Sequence, residues 1–132
     1  MGDMSTRPLA AVLAGALALA LAFATSATAS DDSIRRRGEC AGGPSDWRLV
    51  VRQETAATLR VKFEIEGGAE GQTWQLFISD DGDRIFAGNR TSRQDGYVRV
   101  VREPADRAGS DQIKATGVNL VTGESCGGSL TY

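Results

Sequence analysis

Apolar and polar side chains alternate along much of the chain after residue 46. In residues 58–66, Leu59, Val61, Phe63 and Ile65 alternate with polar or charged side chains. A period of two places one set on the core face of a β-strand and the other set in solvent. Runs of this kind predict seven strands, at residues 47–52, 58–66, 72–79, 83–90, 97–102, 112–120 and 124–132.

The breaks between these runs contain turn-forming residues, among them Asp81-Gly82 and Asp95-Gly96. Asp-Gly is favoured in tight hairpins because both central residues take a positive φ. The short strands and the lack of a 3.6-residue period predict an all-β fold. We expect a seven-stranded antiparallel β-sandwich, immunoglobulin-like or fibronectin-like, over residues 46–132. Residues 30–45 are polar, Gly-rich and aperiodic, which predicts a flexible N-terminal tail and loop.

Residues 1–29 have the pattern of a secretory signal peptide. Arg7 precedes a run of uncharged residues from Leu9 to Ala24, and Ala27 and Ala29 occupy the small-residue positions before the cleavage site. We therefore expect a secreted, extracellular protein that begins at Ser30 and has no membrane attachment after cleavage. An uncleaved membrane anchor is the alternative, because the run is at the short limit for a membrane span.

Cys40 and Cys126 are the only cysteines, and both follow the predicted leader. An oxidising exterior favours one intramolecular disulfide, which would tie the beginning of the domain to its end. A redox-active pair is disfavoured because redox motifs place their cysteines close together in sequence.

The composition narrows the functional classes. The 132 residues include no histidine, and 15 basic residues stand against 17 acidic ones, for a net charge of −2. A Ser-His-Asp triad and a His-ligated metal are therefore excluded. The acidic balance argues against a nucleic-acid partner. We find no catalytic constellation, so we expect no enzymatic activity and no cofactor.

Three aromatic residues form a candidate ligand groove. Phe77 and Tyr97 fall on the face opposite the main apolar stripe, and Phe86 lies on a weaker strand. Partly exposed aromatic side chains commonly line binding grooves.

Two acidic groups could carry chemistry. Asp80, Asp81 and Asp83 supply the oxygen ligands that Ca²⁺ prefers, but their spacing is not that of an EF-hand. A hairpin turn explains them without a metal, so a metal site is only the alternative. Glu64 and Glu66 share a charged strand face, which indicates cross-strand charge pairs rather than acid–base catalysis.

Several segments resemble a family of small exported actinobacterial proteins. They are DWRLVVR, VKFEIEGG, GQTWQLFISDDGDRIFAGNRTS and ATGVNLVTGESCGGSLTY, and the resemblance spans nearly all of residues 38–132. Within it, IKATGVNLVTGES resembles the last hairpin of fibronectin type III domains. The resemblance implies secretion and a β-rich, immunoglobulin-like fold, and it implies no particular chemistry.

These observations predict an exported, non-enzymatic β-sandwich that acts as a binding or interaction module at or outside the cell surface. Its partner would be a protein, a cell-wall polymer or a small molecule. The alternative is an extracellular small-molecule carrier with an apolar groove between strands. An enclosed groove lined by Phe77, Phe86 and Tyr97 would favour the carrier, and a filled sandwich with shallow surface pockets would favour the module.

Overall fold

The computed structural model describes Gly2 and residues 32–132, and it contains eight β-strands. The predicted signal peptide, residues 1–29, lies outside the described residues apart from Gly2. No helix within the described part of the chain is long and apolar enough to cross a membrane. The strands are β1 (Ser33–Glu39), β2 (Asp46–Thr55), β3 (Thr58–Glu66), β4 (Thr73–Asp80), β5 (Asp83–Thr91), β6 (Val98–Arg102), β7 (Gln112–Asn119) and β8 (Ser125–Thr131).

The strands form two antiparallel sheets that share one hydrophobic core. Sheet I has the strand order β1-β2-β3-β6, and sheet II has the order β5-β4-β7-β8. Without β1, sheet I has the strand order of the A-B-E sheet of immunoglobulin-like sandwiches, with β2, β3 and β6 as A, B and E. Sheet II has the order C′-C-F-G, with β5, β4, β7 and β8 in those positions. The predicted all-β sandwich is therefore confirmed.

The number of strands is eight rather than the predicted seven. The additional strand is β1, which pairs with β2 along its whole length, from Ser33 opposite Arg52 to Glu39 opposite Asp46. The sequence predicts a tail and loop at this position, because Ile34 is the only large apolar side chain in β1 and no alternation is visible. Pairing with β2 satisfies one side of the β1 backbone, and this fixes a strand that has almost no apolar face.

The predicted core faces do meet between the sheets. Leu59, Val61, Phe63 and Ile65 of β3 are at most 1% exposed. They pack in one cluster with buried residues of sheet II, among them Trp74. Trp47 lies at the margin of the core and is only partly covered.

The Asp81-Gly82 hairpin has the predicted turn chemistry. Asp81 has a φ of 48° and Gly82 a φ of 86°. Two successive positive φ values are those of the tight hairpin that joins β4 and β5.

The predicted disulfide between Cys40 and Cys126 is present, with Cα atoms 4.4 Å apart. Ala41 forms a β-bridge with Ser125, so the segment after β1 runs beside β8. The Arg36 guanidinium also donates a hydrogen bond of 3.0 Å to the Ser129 carbonyl. These contacts fasten the β1 edge of sheet I to the β8 edge of sheet II.

Candidate functional site

The structure does not bring Phe77, Phe86 and Tyr97 together in one groove. Phe77 lies on the outer face of sheet II, where the Arg84 guanidinium is 4.7 Å from its ring centre. Phe86 pairs directly opposite the buried Ile78 and therefore faces the core. Tyr97 lies beside β6, on the outer side of sheet I, and bonds to Glu64. The three rings therefore lie in three different places: on the outer face of sheet II, in the core, and on the outer side of sheet I.

Phe86 closes the side of the sandwich where β5 and β6 face each other. Its ring lies 4.8 Å from the Arg90 guanidinium and 4.5 Å from the Arg102 guanidinium. The two cations come from different sheets and both stack on the ring, where each is attracted by the ring quadrupole. Phe86 is therefore a packing residue, and its ring is only 7% exposed.

Tyr97 and Glu64 form a hydrogen-bonded pair on the outer side of sheet I. The Tyr97 hydroxyl donates to the Glu64 carboxylate at 2.7 Å, and Lys62 lies 3.0 Å from the same carboxylate. Burial raises the Glu64 pKa, but the hydrogen bond from Tyr97 and the charge of Lys62 outweigh burial, so the pKa is lower than its ordinary value. Glu64 is thus held ionised, which suits a structural charge pair better than a general acid.

Replacing Tyr97 with Phe should raise the Glu64 pKa, because the carboxylate loses its strongest donor. A group whose folded-state pKa is lowered contributes stability above its unfolded-state pKa and loses it as the pH falls through the folded-state pKa. At neutral pH the variant should therefore be about 1–2 kcal/mol less stable than wild type, and this difference should shrink at acidic pH. NMR titration of the Glu64 carboxyl and urea unfolding at neutral and acidic pH measure both effects. An unchanged Glu64 pKa in the variant would contradict this assignment.

The carboxylates that come together at the β4–β5 turn are not the three predicted from the sequence. Carboxylate oxygens of Asp80, Asp81 and Asp111 lie within 4.8 Å of one another, and we call these three residues the acid cluster. Asp83 is outside the cluster, and its carboxylate instead forms an ion pair with the Arg107 guanidinium at 2.7 Å. Asp111 joins the cluster because β7 pairs with β4, which places Ile113 opposite Asp80.

Two members of the acid cluster are buried. Asp80 is 2% exposed and Asp111 is 1% exposed. Burial, with the charges of Asp80 and Asp106, raises the pKa of Asp111 to about 6. Burial and the charge of Asp81 also raise the pKa of Asp80. The cluster is therefore a concentrated and poorly solvated negative charge.

A polar groove crosses the outer face of sheet I. One part, of about 460 Å³, has Val50 as its only apolar lining residue. A second part, of about 200 Å³, adjoins it and shares Arg35, Val50 and Lys62. We call this the cationic groove and define it by six side chains from three neighbouring strands: Arg35, Arg37, Arg48, Arg52, Arg60 and Lys62.

Strand register places like charges next to each other in this groove. Arg37 is directly opposite Arg48, and Arg52 is directly opposite Arg60. Directly opposed like charges destabilise a sheet. Glu54 compensates the second pair, because it lies 3.0 Å from Arg52 and 4.0 Å from Arg60.

The first pair is compensated on the β2 side, where Arg48 lies directly opposite Glu64 of β3. Arg48 reaches Glu66 only at 4.0 Å, with both side chains at least half exposed. Within the described residues no ion pair involves Arg35 or Arg37. On the β1 side of the groove, Arg35 and Arg37 therefore carry positive charge without an ion pair among the described residues, on a protein whose net charge is −2.

Comparison of the chain with protein-family models, with curated proteins and with solved structures found no match.

Neither the cationic groove nor the full acid cluster is predicted from the sequence. Arg35 and Arg37 are two residues apart and so share a strand face, but they lie in a segment without apolar alternation. Asp111 precedes Ile113 and Ala115 at the same period of two, which was a usable sign that its side chain faces the core. The proximity of Asp111 to Asp80 depends on the β4–β7 pairing, which the sequence does not specify.

Proposed function

We propose that the chain is an exported, non-enzymatic binding module that holds a linear polyanion in the cationic groove. The polymer class is a sulfated, phosphorylated or carboxylated polysaccharide or phosphate chain at or outside the cell surface. The observation that carries this proposal is that Arg37 opposes the like charge of Arg48, while neither Arg35 nor Arg37 has an ion pair among the described residues. A bound anion would relieve that repulsion.

Protection of a sheet edge does not account for the groove. Charged residues on an edge strand discourage pairing with another chain, and β1 is an edge strand. Arg48 and Lys62, however, lie on β2 and β3, which are interior strands of sheet I. Their charges extend the positive surface across the sheet, away from the edge, so they cannot protect the edge from pairing.

The lining of the groove favours a polymer without bases. Its two parts are lined by cationic side chains together with Ser33 and Val50. Proteins that bind single-stranded nucleic acids add aromatic side chains on which the bases stack. The groove offers charge and hydrogen-bond donors only, which suits phosphate, sulfate and carboxylate groups.

Export is supported by the disulfide and by the leader pattern. Disulfides persist in oxidising compartments, and Cys40–Cys126 joins the two ends of the folded domain. The filled interior also supports a binding module over an apolar carrier. Phe63, Trp74 and Leu76 are at most 1% exposed and occupy the space between the sheets that a carrier would keep for its ligand.

The test is a titration of the oxidised protein, residues 30–132, with dextran sulfate, with unsulfated dextran of the same size as the matched probe. We expect saturable binding of dextran sulfate alone. If four cations are neutralised, the affinity should fall about 50-fold between about 50 and 200 mM salt, because bound cations release condensed counterions. Absence of binding, equal binding of dextran, or tighter binding of single-stranded DNA would each contradict the proposal.

A further inference from the structure

In the acid cluster, buried carboxylate oxygens of Asp80 and Asp111 face other carboxylates rather than neutral or cationic donors. Both carboxylate oxygens of Asp111 and Oδ1 of Asp80 are buried without a hydrogen-bond partner. Buried polar atoms in native proteins nearly always have a partner, and a buried charge is paired or coordinates a metal. One carboxylate oxygen from each of Asp80, Asp81 and Asp111 lies within 4.8 Å of the other two, so the three acids converge on a common centre.

Neighbouring donors are committed to other groups. The guanidinium of Arg107 pairs with Asp83 at 2.7 Å, and both side chains are more than half exposed. The Gln112 amide donates to Oδ1 of Asp81 at 2.8 Å, which fixes the orientation of that side chain. Gln53 donates to Asp106, the acidic residue beside Asp111, at 2.9 Å. No side-chain cation is thus bound directly to Asp80 or Asp111 in the described part of the chain.

We propose that Asp80, Asp81 and Asp111 bind a Ca²⁺ ion. Ca²⁺ takes carboxylate and water oxygens at about 2.3–2.6 Å, so ligand atoms on opposite sides of one ion are about 5 Å apart. The separation of at most 4.8 Å among the three carboxylates fits this requirement. Asp81 is exposed and gives the ion a path from solvent, while waters complete the coordination shell.

The ion would link parts of the chain that are distant in sequence. Asp80 and Asp81 end β4 and begin the hairpin turn, whereas Asp111 precedes β7. Asp111 also exchanges two backbone hydrogen bonds with Tyr132, of 2.9 and 2.8 Å, so the site is coupled to the end of the chain. The site belongs to sheet II and is independent of the cationic groove on sheet I.

Thermal unfolding and calorimetry at pH 7.5 test the site. Extracellular Ca²⁺ modules bind with dissociation constants of about 10⁻⁴–10⁻³ M, so about 10 mM CaCl₂ should raise the melting temperature by roughly 5–10 °C over EDTA at equal ionic strength. Isothermal titration of the wild-type protein with CaCl₂ should give one site per chain. The Asp111→Asn variant should lose the Ca²⁺ shift and should melt above wild type in EDTA, because it removes a buried unpaired charge.

The matched control is Asp83→Asn, which removes a carboxylate from the same hairpin but from outside the cluster. This variant should keep the full Ca²⁺ shift. An unchanged wild-type melting temperature and no heat of Ca²⁺ binding would overturn the proposal. So would an equal shift in Asp111→Asn, a lost shift in Asp83→Asn, or an Mg²⁺ shift as large as that of Ca²⁺.

Discussion

Replacing Cys40 and Cys126 with serine should lower the free energy of unfolding by about 2–5 kcal/mol. The bridge closes a loop with a sequence separation of 86, and a loop of this length restricts the unfolded chain strongly. A domain of this size has about 5–15 kcal/mol in total, so the double variant should still fold at about 25 °C. Its melting temperature should fall by roughly 10–30 °C.

Two measurements separate loss of the bridge from the polarity of the new serines. Cys40 and Cys126 are both less than 9% exposed, so a hydroxyl at either position also costs stability. Reduced wild-type protein and a Cys40→Ala, Cys126→Ala variant both lack the bridge without adding a hydroxyl. We expect both to melt far below the oxidised protein. A double-serine variant that melts within about 2 °C of wild type would show that the bridge contributes little.

Loss of the bridge should affect β1 more than the central strands. β1 pairs on one side only, with β2. Its C-terminal end is held by the disulfide of Cys40 and by the backbone β-bridge between Ala41 and Ser125. Amide hydrogen exchange in the reduced protein should therefore accelerate more in β1 than in β3. Because Arg35 and Arg37 lie on β1, the disulfide also keeps the cationic groove in place.

The strands with an alternating pattern could be predicted because burial on one face selects a single register. In β3, the apolar residues at every second position are all buried, as the period of two requires. β1 could not be predicted this way, since three of its seven residues are arginine and only Ile34 is large and apolar. Its position depends on pairing with β2 and on the bonds of Arg36 and Cys40.

Candidate sites were harder to predict than strands because they join distant segments. The aromatic residues Phe77 and Tyr97 both lie off the core stripe, but they belong to different sheets and therefore do not share a groove. Phe86 faces the core because of its register with Ile78. In the acid cluster, Asp80 and Asp81 are neighbours in sequence, whereas Asp111 lies just before β7, whose first residue, Gln112, is 31 residues after Asp81.

Reversing the charges of Arg35 and Arg37 should weaken polyanion binding by about 100-fold. Both side chains lie on the β1 side of the groove, and neither has an ion pair among the described residues, so their charge is available to a ligand. Each reversal replaces an attraction with a repulsion, for which a tenfold loss, about 1.4 kcal/mol, is the expected scale. The salt dependence of binding should become shallower at the same time.

The same variant should not be less stable than wild type. The Arg37→Glu substitution sets a carboxylate opposite Arg48, and an opposed pair of unlike charges contributes about 0.2–1 kcal/mol in place of a repulsion. Loss of binding without loss of stability separates a ligand site from a surface that only supports the fold. The matched control is Arg84→Glu with Arg93→Glu, which changes the net charge equally at two exposed arginines outside the groove.

The cationic groove is tested most directly by measuring affinity for dextran sulfate in one buffer for three proteins. They are the wild type, the Arg35→Glu, Arg37→Glu variant and the Arg84→Glu, Arg93→Glu variant. The groove predicts that the first variant binds about 100-fold more weakly than wild type, while the second stays within about threefold of it. Equal losses in both variants would mean that net charge alone governs binding. That result, or full affinity in the β1 variant, would contradict the assignment of this face as the binding site.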